Sequence, residues 1–491
     1  MIALDGRALD CAQIHRIAAG EPVTLAPEAR ERMAANAARV PPGESMLETK
    51  RALIVGAESH GLDPDALCHE FIRGHCAGVG PDLPVGVVRG AMAARINVLA
   101  QGLSGVRPDA AEVLVAMLAN NVHPRVPSQG SVGAAGDLAP LAHIAWVACG
   151  YDGAHHGFEP LRPTPKEALA LINGCSVTAA LAALAVARAE RLFDTAVAVT
   201  AMTMEVVRAD AGAIDERPLA ARGHPGAVAV AADLRRLLTG STQVVDGREA
   251  DAFSIRCSAT VLGAVRDAID AVRTTVVREL NGAGDNPLLY DGQWIEAGNF
   301  HGAPLALAMD HLKIALTHVA TLSERRTFRL TYGQLSRGLP SFLVPGTGIN
   351  SGFMLAQYTA ASLTSECKGL AHPASVDTIP TVQHHEDHVS MGPIAARGAL
   401  RIVECVADVL AIEAILAAQA LDLRERGLAW DKDNRRIEAT PVTLAPAVRQ
   451  LKDVVRSQIP FWEDDDVLHP LLQRSGGLVR AGAFTQAPGQ W

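Results

Sequence analysis

Residues 394–425, IAARGALRIVECVADVLAIEAILAAQALDLRE, form one long alanine-rich amphipathic pattern and predict a single helix. Two further patterns of this kind lie upstream, at 257–281 and 303–330, and residues 167–210 predict two helices, with Asn173-Gly174 near one end of the first. Helices of 25 or more residues recurring in one chain predict an elongated bundle, so the expected fold class is mainly α. Strand signals are few and short. One is LLYDGQWIEAG at 288–298, where Asp291-Gly292 suits a hairpin turn.

Further towards the N-terminus the helices shorten. Residues 1–40 carry two short helical patterns, with Pro22 and Pro27 between and inside them, and VPPGES at 40–45 is a break. A helical stretch follows to about residue 72. VRPDAAEVLVAMLANNVHP places a helix start at Pro108 and Asp109 and a stop near Pro124. The next stretch, VPSQGSVGAAGDLAPLAH, is dense in glycine, which predicts tight turns or close backbone approach; helix resumes at about Leu141.

The chain has 491 residues, enough for about three domains or one large helical unit. It is 49% hydrophobic and 20% charged, a globular profile that excludes disorder, collagen and a small disulfide scaffold. Lys plus Arg is 44 against 53 Asp plus Glu, and the net charge of −9 argues against nucleic acid as a partner. The eight cysteines are scattered and form no CxxC, so they read as free thiols rather than a zinc or thioredoxin site. Asp5, Arg7 and Asp10 occupy the place of a secretory apolar core, and no run approaches the length of a membrane span. The expectation is a cytoplasmic enzyme with a small-molecule substrate, with neither nucleic acid nor membrane as a partner.

Polar residues gather in five turn-like clusters: GSVGAAGDLAPLAH (130–143), LING (171–174), DAFSIRC (251–257), GNFHG (298–302) and QHHEDHVSMG (383–392). No P-loop, HExxH or GxSxG is present, and the glycine pattern at 130–136 follows no clear strand, which argues against a dinucleotide fold. His384, His385, Glu386, Asp387 and His388 invite a metal. Adjacent side chains diverge on either backbone type, however, so acid–base chemistry is the better reading and no metal is expected.

In combination these clusters resemble the aromatic amino acid ammonia-lyase family, and most closely its histidine-type members. The resemblance rests on order and coverage: GVGPDLP, GLSGVRP, GSVGAAGDLAPLAH, KEALALING, ELNGAGDNPL, GNFHG, GLPSFLVP, INSGFMLAQYTAA and HPASVDTIPT followed by EDHVSMGPIAAR. It implies one unit over residues 1–491, with an N-terminal active-site layer (1–165) and a long-helix bundle with C-terminal region (166–491). It also implies a homotetramer whose active sites are shared between subunits. Family members eliminate ammonia from an amino acid with an electrophile, methylideneimidazolone, formed from an Ala-Ser-Gly triplet whose serine loses water.

The chain departs from the family at that triplet, which reads Ala134-Ala135-Gly136. Ala135 has no hydroxyl to lose, so no such cofactor is expected. The family's tyrosine loop before GHCAGVG is replaced by PPGESMLETKRALIVG (41–56), and the tyrosine of its D-x-Y-S-x-R motif is Phe253. Other positions match. The resemblance implies that His75 contacts an imidazole, that Asn173 and Arg256 hold the amine and carboxylate, and that Glu386 is the acidic residue of histidine-type members, preceded here by His384 and His385. Asn299 and Phe300, in GNFHG, complete the expected substrate contacts. A guanidinium such as Arg256 can pair with a carboxylate through two parallel hydrogen bonds.

Three readings of these losses stand. One is a histidine ammonia-lyase inactivated by alanine at the triplet; it leaves the tyrosine losses unexplained. Another is a catalytically inactive paralogue with a structural or regulatory role; it leaves the retained pocket unexplained. The third is a lyase that does without the electrophile. A quaternary amine has no lone pair with which to add to a methylidene, and it already departs as a neutral amine. The family has such a branch, ergothionase-like lyases that expel trimethylamine from ergothioneine, and this third reading accounts for most. Phe253 and Phe300 are then candidates to face a trimethylammonium by cation–π contact, although plain core packing explains each equally well. Glu386 with His385 would polarise the ring. Glu44, Glu48 and Lys50, new titratable groups in the replaced loop, are candidate bases, unless they are simply a solvated turn.

Overall fold

The computed structural model describes residues 1–41, 63–247, 251–346, 348–431 and 435–485. The chain is mainly helical, and the long helices run Ser176–Val206, Ser258–Leu280, Ala303–Thr331 and Gly392–Glu425, each within a few residues of its expected place. Short helices start where capping chemistry puts them. Thr164 and Glu167 form a reciprocal capping box ahead of Pro165–Ile172, and Asp63 caps Pro64–His75 through the Ala66 amide. Pro27 is the first residue of the helix Pro27–Ala37 rather than an interruption, since its missing N–H costs nothing there.

Several helices lie outside the expected ones, and two of them show why. Val85–Leu99 is buried from Val87 to Leu99, so it has no polar stripe to set a period. Met354–Leu370 has only Ala356, Ala360 and Cys367 buried, too sparse an apolar face to read. The helix Ala303–Thr331 is long and apolar enough to cross a membrane by length and composition, but 61% of that window is buried inside the protein.

The chain divides into two compact units, neither of them continuous in sequence. The first comprises Met1–Ala187, Ala271–Asp310 and Pro373–Leu400; the second comprises Arg188–Asp270, His311–His372 and Arg401–Trp491. In the first unit the helix Val85–Leu99 packs on Cys11–Ala18 and Asp109–Ala119. Gly90 lets Ala180 and Ile14 approach to 3.2 and 3.3 Å of where a β-carbon would stand. Its strands pair in twos: Ile2–Leu4 with Val23–Leu25 in parallel, Val79–Asp82 with Pro127–Gln129 antiparallel, and Leu288–Tyr290 with Gln293–Ile295 as the expected hairpin. Asp291 and Gly292 both have positive φ, as a two-residue turn of this twist requires.

The second unit is organised around a fully buried ion pair. Arg326 donates from Nε and Nη2 to the two carboxylate oxygens of Glu413 at 2.6 and 2.9 Å, and Thr203 adds a hydroxyl at 2.7 Å. Arg424 closes one end by donating to the carbonyls of Val206, Ser336 and Arg337.

Candidate active site

In the first unit the turn-like clusters converge on the Ala134-Ala135-Gly136 triplet. Gly136 (φ +81°) and Gly174 (φ +110°) run side by side as a parallel bridge. The Gly174 amide donates to Ala135 O at 3.2 Å, and the Asp137 amide donates to Gly174 O at 2.8 Å. This sets LING against the triplet. On the other side, the antiparallel pair of Val79–Asp82 and Pro127–Gln129 carries the GHCAGVG loop, and so His75, towards the same glycine-rich turn.

The two remaining clusters of this unit close around it. Ser390 Oγ donates to Gly133 O at 3.0 Å, and the Met391 amide donates to Val132 O at 2.8 Å. Val389 and Met391 pack with Ala134 in one small apolar cluster. Cys175 Sγ donates to Phe300 O at 3.1 Å, and His301 Nε2 lies 3.1 Å from His388 O. The histidine-rich segment therefore touches the triplet loop, and GNFHG touches that segment and Cys175, the residue after LING.

Beneath this surface lies a buried group of charges. Lys166 Nζ donates to Asp285 Oδ2 at 2.8 Å, with side chains 6% and 0% exposed. Arg95 is wholly buried and donates from Nη1 to the Asn173 carbonyl, while its Nε and Nη2 have no hydrogen-bond partner. Asp137 is enclosed and accepts from the Thr178 amide and hydroxyl, both at 2.7 Å. Burial pushes Asp137 up to about 6, against the pull of the two Thr178 bonds. Burial acts the same way on Asp285, but the charges of Lys166 and Arg95 outweigh it and hold its carboxyl below the usual range. Glu279, in the last turn of Ser258–Leu280, is raised to about 7, first by burial and then by the charge of Asp137.

The expected site residues fall into three groups. His75, Asn173, Asn299, Phe300, His384, His385, Glu386 and the triplet all lie in the first unit. The His75 Nδ1 meets the Phe71 carbonyl at 2.7 Å; a carbonyl only accepts, so Nδ1 donates and Nε2 of the neutral ring keeps the lone pair. Asn173 is buried and gives one amide hydrogen to Asn286 O at 3.3 Å, leaving Oδ1 unpartnered. The amide of Asn299 donates to Ala283 O at 3.3 Å. Glu386 accepts the Thr381 hydroxyl at 2.5 Å and exchanges backbone bonds with the same residue. Between them Val382, Gln383 and His384 all take positive φ, a strained turn that leaves His384 and His385 exposed. Among the described residues no group of three His, Cys, Asp or Glu could hold a metal ion.

Phe253 and Arg256 belong to the second unit, where Phe253 is 75% exposed. Glu44, Glu48 and Lys50 lie outside the described residues. Sequence reasoning missed Arg95, Lys166 and Glu279 as members of this site. Lys166 and Glu167 lie in the first turn of a helix and Glu279 near the end of another, positions where charged side chains are ordinarily solvated; only tertiary packing buries them.

Residues 9–456 match the family described as aromatic amino acid lyase. The histidine ammonia-lyase of Anaeromyxobacter sp. (strain K) is 40% identical over 519 aligned residues, covering 98% of this chain and 99% of that protein. The solved tyrosine aminomutase from Streptomyces globisporus superposes with a TM-score of 0.88 at 32% identity, over 98% of this chain and 97% of that one. The ergothioneine-degrading ergothionase from Treponema denticola shares the fold, with a TM-score of 0.83 at 24% identity over 99% and 100% of the two chains.

Proposed function

The chain belongs to the aromatic amino acid lyase family and is of the histidine ammonia-lyase type; from that premise we propose that it eliminates an amine from a histidine-like substrate to give an acrylate, without a methylideneimidazolone. Trimethylamine elimination from ergothioneine or a related betaine is the reaction we assign.

The observation that carries this reading is Ala135. The backbone of the triplet loop is folded as a tight turn around Gly136, but the side chain between Ala134 and Gly136 is a methyl group. It has nothing to dehydrate, so the residues present do not fit the family's electrophile. A trimethylammonium group needs none. The β-C–H electron pair becomes the new double bond, the C–N pair leaves with nitrogen as neutral trimethylamine, and the β-proton passes to a base.

The imidazole end of the substrate follows from His75 and Glu386. His75 Nε2 offers an acceptor, and the Glu386 carboxylate, held at one oxygen by Thr381, keeps the other for a ring N–H. A carboxylate that accepts a ring N–H favours the protonated, electron-poor form of the ring, and that form makes the β-proton more acidic. In this reading Arg256 and Phe253 enter from a neighbouring copy of a homotetramer, as carboxylate and trimethylammonium contacts. Leu307, Leu355 and Tyr358, exposed at 62%, 52% and 63% on long helices, supply apolar surface for that assembly.

The test is incubation of the full-length protein with ergothioneine and, separately, with histidine, following trimethylamine, ammonia and the ultraviolet absorbance of an acrylate. Trimethylamine release is expected, and Ala135→Ser should not raise it. Ammonia release from histidine would overturn the electrophile-free reading. Turnover of neither would favour the inactive paralogue.

A further inference from the structure

The Glu279 carboxyl group makes no hydrogen bond and no ion pair among the described residues, although it is largely buried. Its Oε1 lies 3.6 Å from the point where a β-carbon on Gly284 would stand, and Asn299 O lies 3.8 Å from the same point. The carbonyl of Gly284 in turn lies against Gly174, 1.9 Å from where a β-carbon there would be. Two residues without side chains, Gly174 and Gly284, thus stack between Gly136 of the triplet and Glu279. Asn173, whose Oδ1 is buried and unpartnered, is the residue next to Gly174.

The buried charges of this site do not balance when every acid is ionised, and the charge that acts on Glu279 directly is that of Asp137. Lys166 and Arg95 bring two positive charges. Asp285, held as an anion by Lys166, and Asp137, which at about 6 ionises before Glu279, already match them. Cys175, the other titratable group nearby, is raised well above its usual range by burial and the neighbouring acids, and stays a neutral thiol. Glu279 is therefore the surplus acid, and it is the one that is neither hydrogen-bonded nor fully enclosed. An acid so placed exchanges one proton near neutral pH.

We propose that Glu279 is the proton-exchanging group of this site and, resting on the lyase reading above, that it accepts the substrate's β-proton. In that step the β-C–H bond breaks, its electron pair forms the Cα–Cβ double bond, the C–N pair departs with the amine, and the proton forms an O–H bond on the Glu279 carboxylate. Its partial exposure lets the proton return to solvent before the next turnover. Burial and the charge of Asp137 put the resting carboxyl at about 7, so the base is half available at neutral pH.

Two measurements decide it. The first is kcat/KM against pH, on whichever of ergothioneine or histidine the wild type consumes. It should rise through about pH 7. Glu279→Gln should lower kcat by roughly 10²- to 10⁴-fold with little change in KM and should abolish that rise, while Glu279→Asp should retain part of the activity with a shifted rise. A Glu279→Gln enzyme within about threefold of wild type that keeps the rise would overturn the proposal. The second is an infrared pH titration of the free protein. A carboxylic-acid C=O band that disappears around neutral pH, and is absent in Glu279→Gln, is expected. No such band would overturn the proposal even if neither substrate is consumed. In that case the lyase reading falls separately, on the activity assay alone.

Discussion

Gly136 and Gly174 lie backbone against backbone: a β-carbon on Gly136 would stand 2.3 Å from the Gly174 carbonyl carbon. The contact fastens the triplet loop to LING, and Gly174 is pressed from its other side by Gly284. Gly174→Ala should therefore destabilise the protein by about 3 kcal/mol or more, adding overpacking to left-handed strain, and should abolish activity. Gly20 is the control. Its φ of +111° matches the +110° of Gly174, but nothing lies within 4 Å of its β-position. Gly20→Ala should cost only the backbone term, about 1 kcal/mol, and leave activity intact. Thermal unfolding of both variants checks this; equal losses would mean that the close approach contributes nothing.

The Lys166–Asp285 pair predicts an asymmetry. Removing one partner of a buried pair costs about 3–5 kcal/mol, because the other charge is stranded. Lys166→Met strands Asp285, but Arg95 remains to face it. Asp285→Asn strands Lys166 beside a second cation, and burial already pushes that ammonium down. Even if the lysine sheds its proton, Asp285→Asn should be the more damaging change. Urea unfolding of the two variants gives the order directly, and the reverse order would show that Arg95 does not compensate.

The sequence laid out the long helices and the hairpin at residues 288–295 because each has a period or a turn dipeptide of its own. The triplet, LING, GNFHG and the histidine-rich segment were legible as clusters for a similar reason: glycine density marks places where backbones meet. What could not be read was burial that arises only between segments. Val85–Leu99 hides a helix by being apolar on every side. Lys166 and Asp285 are 119 residues apart and become a pair only in the fold. Glu279 lies within a motif that was itself visible, yet its chemistry depends on Asp137 from a different cluster.

Stability should fall as pH rises through the range in which Glu279 ionises. Its folded value, about 7, stands above the unfolded 4.5, so the folded state binds the proton more tightly. That contribution is complete below about pH 4.5 and is lost between there and about 7, at a slope of up to about 1.4 kcal/mol per pH unit. Asp137, raised from 3.8 to about 6, adds the same sign over its own lower window. Urea unfolding at pH 5, 6 and 7 should show the decline in the wild type and a shallower one in Glu279→Gln. Parallel curves would mean that Glu279 titrates as it does in the unfolded chain.

Thr381 and Glu386 should separate binding from folding. The Thr381 hydroxyl holds one carboxylate oxygen at 2.5 Å, across a turn in which three of the four inner residues have positive φ. The geometry fixes where the free oxygen points, so the pair is suited to orienting a ring N–H. Glu386→Gln replaces a charge-assisted hydrogen bond with a neutral one, which is worth about 1.5–3 kcal/mol and predicts a roughly 10- to 100-fold loss of affinity for an imidazole ligand. Thr381→Val leaves the charge but frees its direction, and about 1 kcal/mol, or roughly fivefold, is expected. Calorimetric titration with 3-(imidazol-4-yl)propionate measures both without requiring turnover. The turn is largely exposed, so neither change should move the unfolding midpoint by more than a degree or two. If Thr381→Val weakened binding as much as Glu386→Gln while also lowering the midpoint, the pair would be holding the turn together rather than aiming a carboxylate at a ligand.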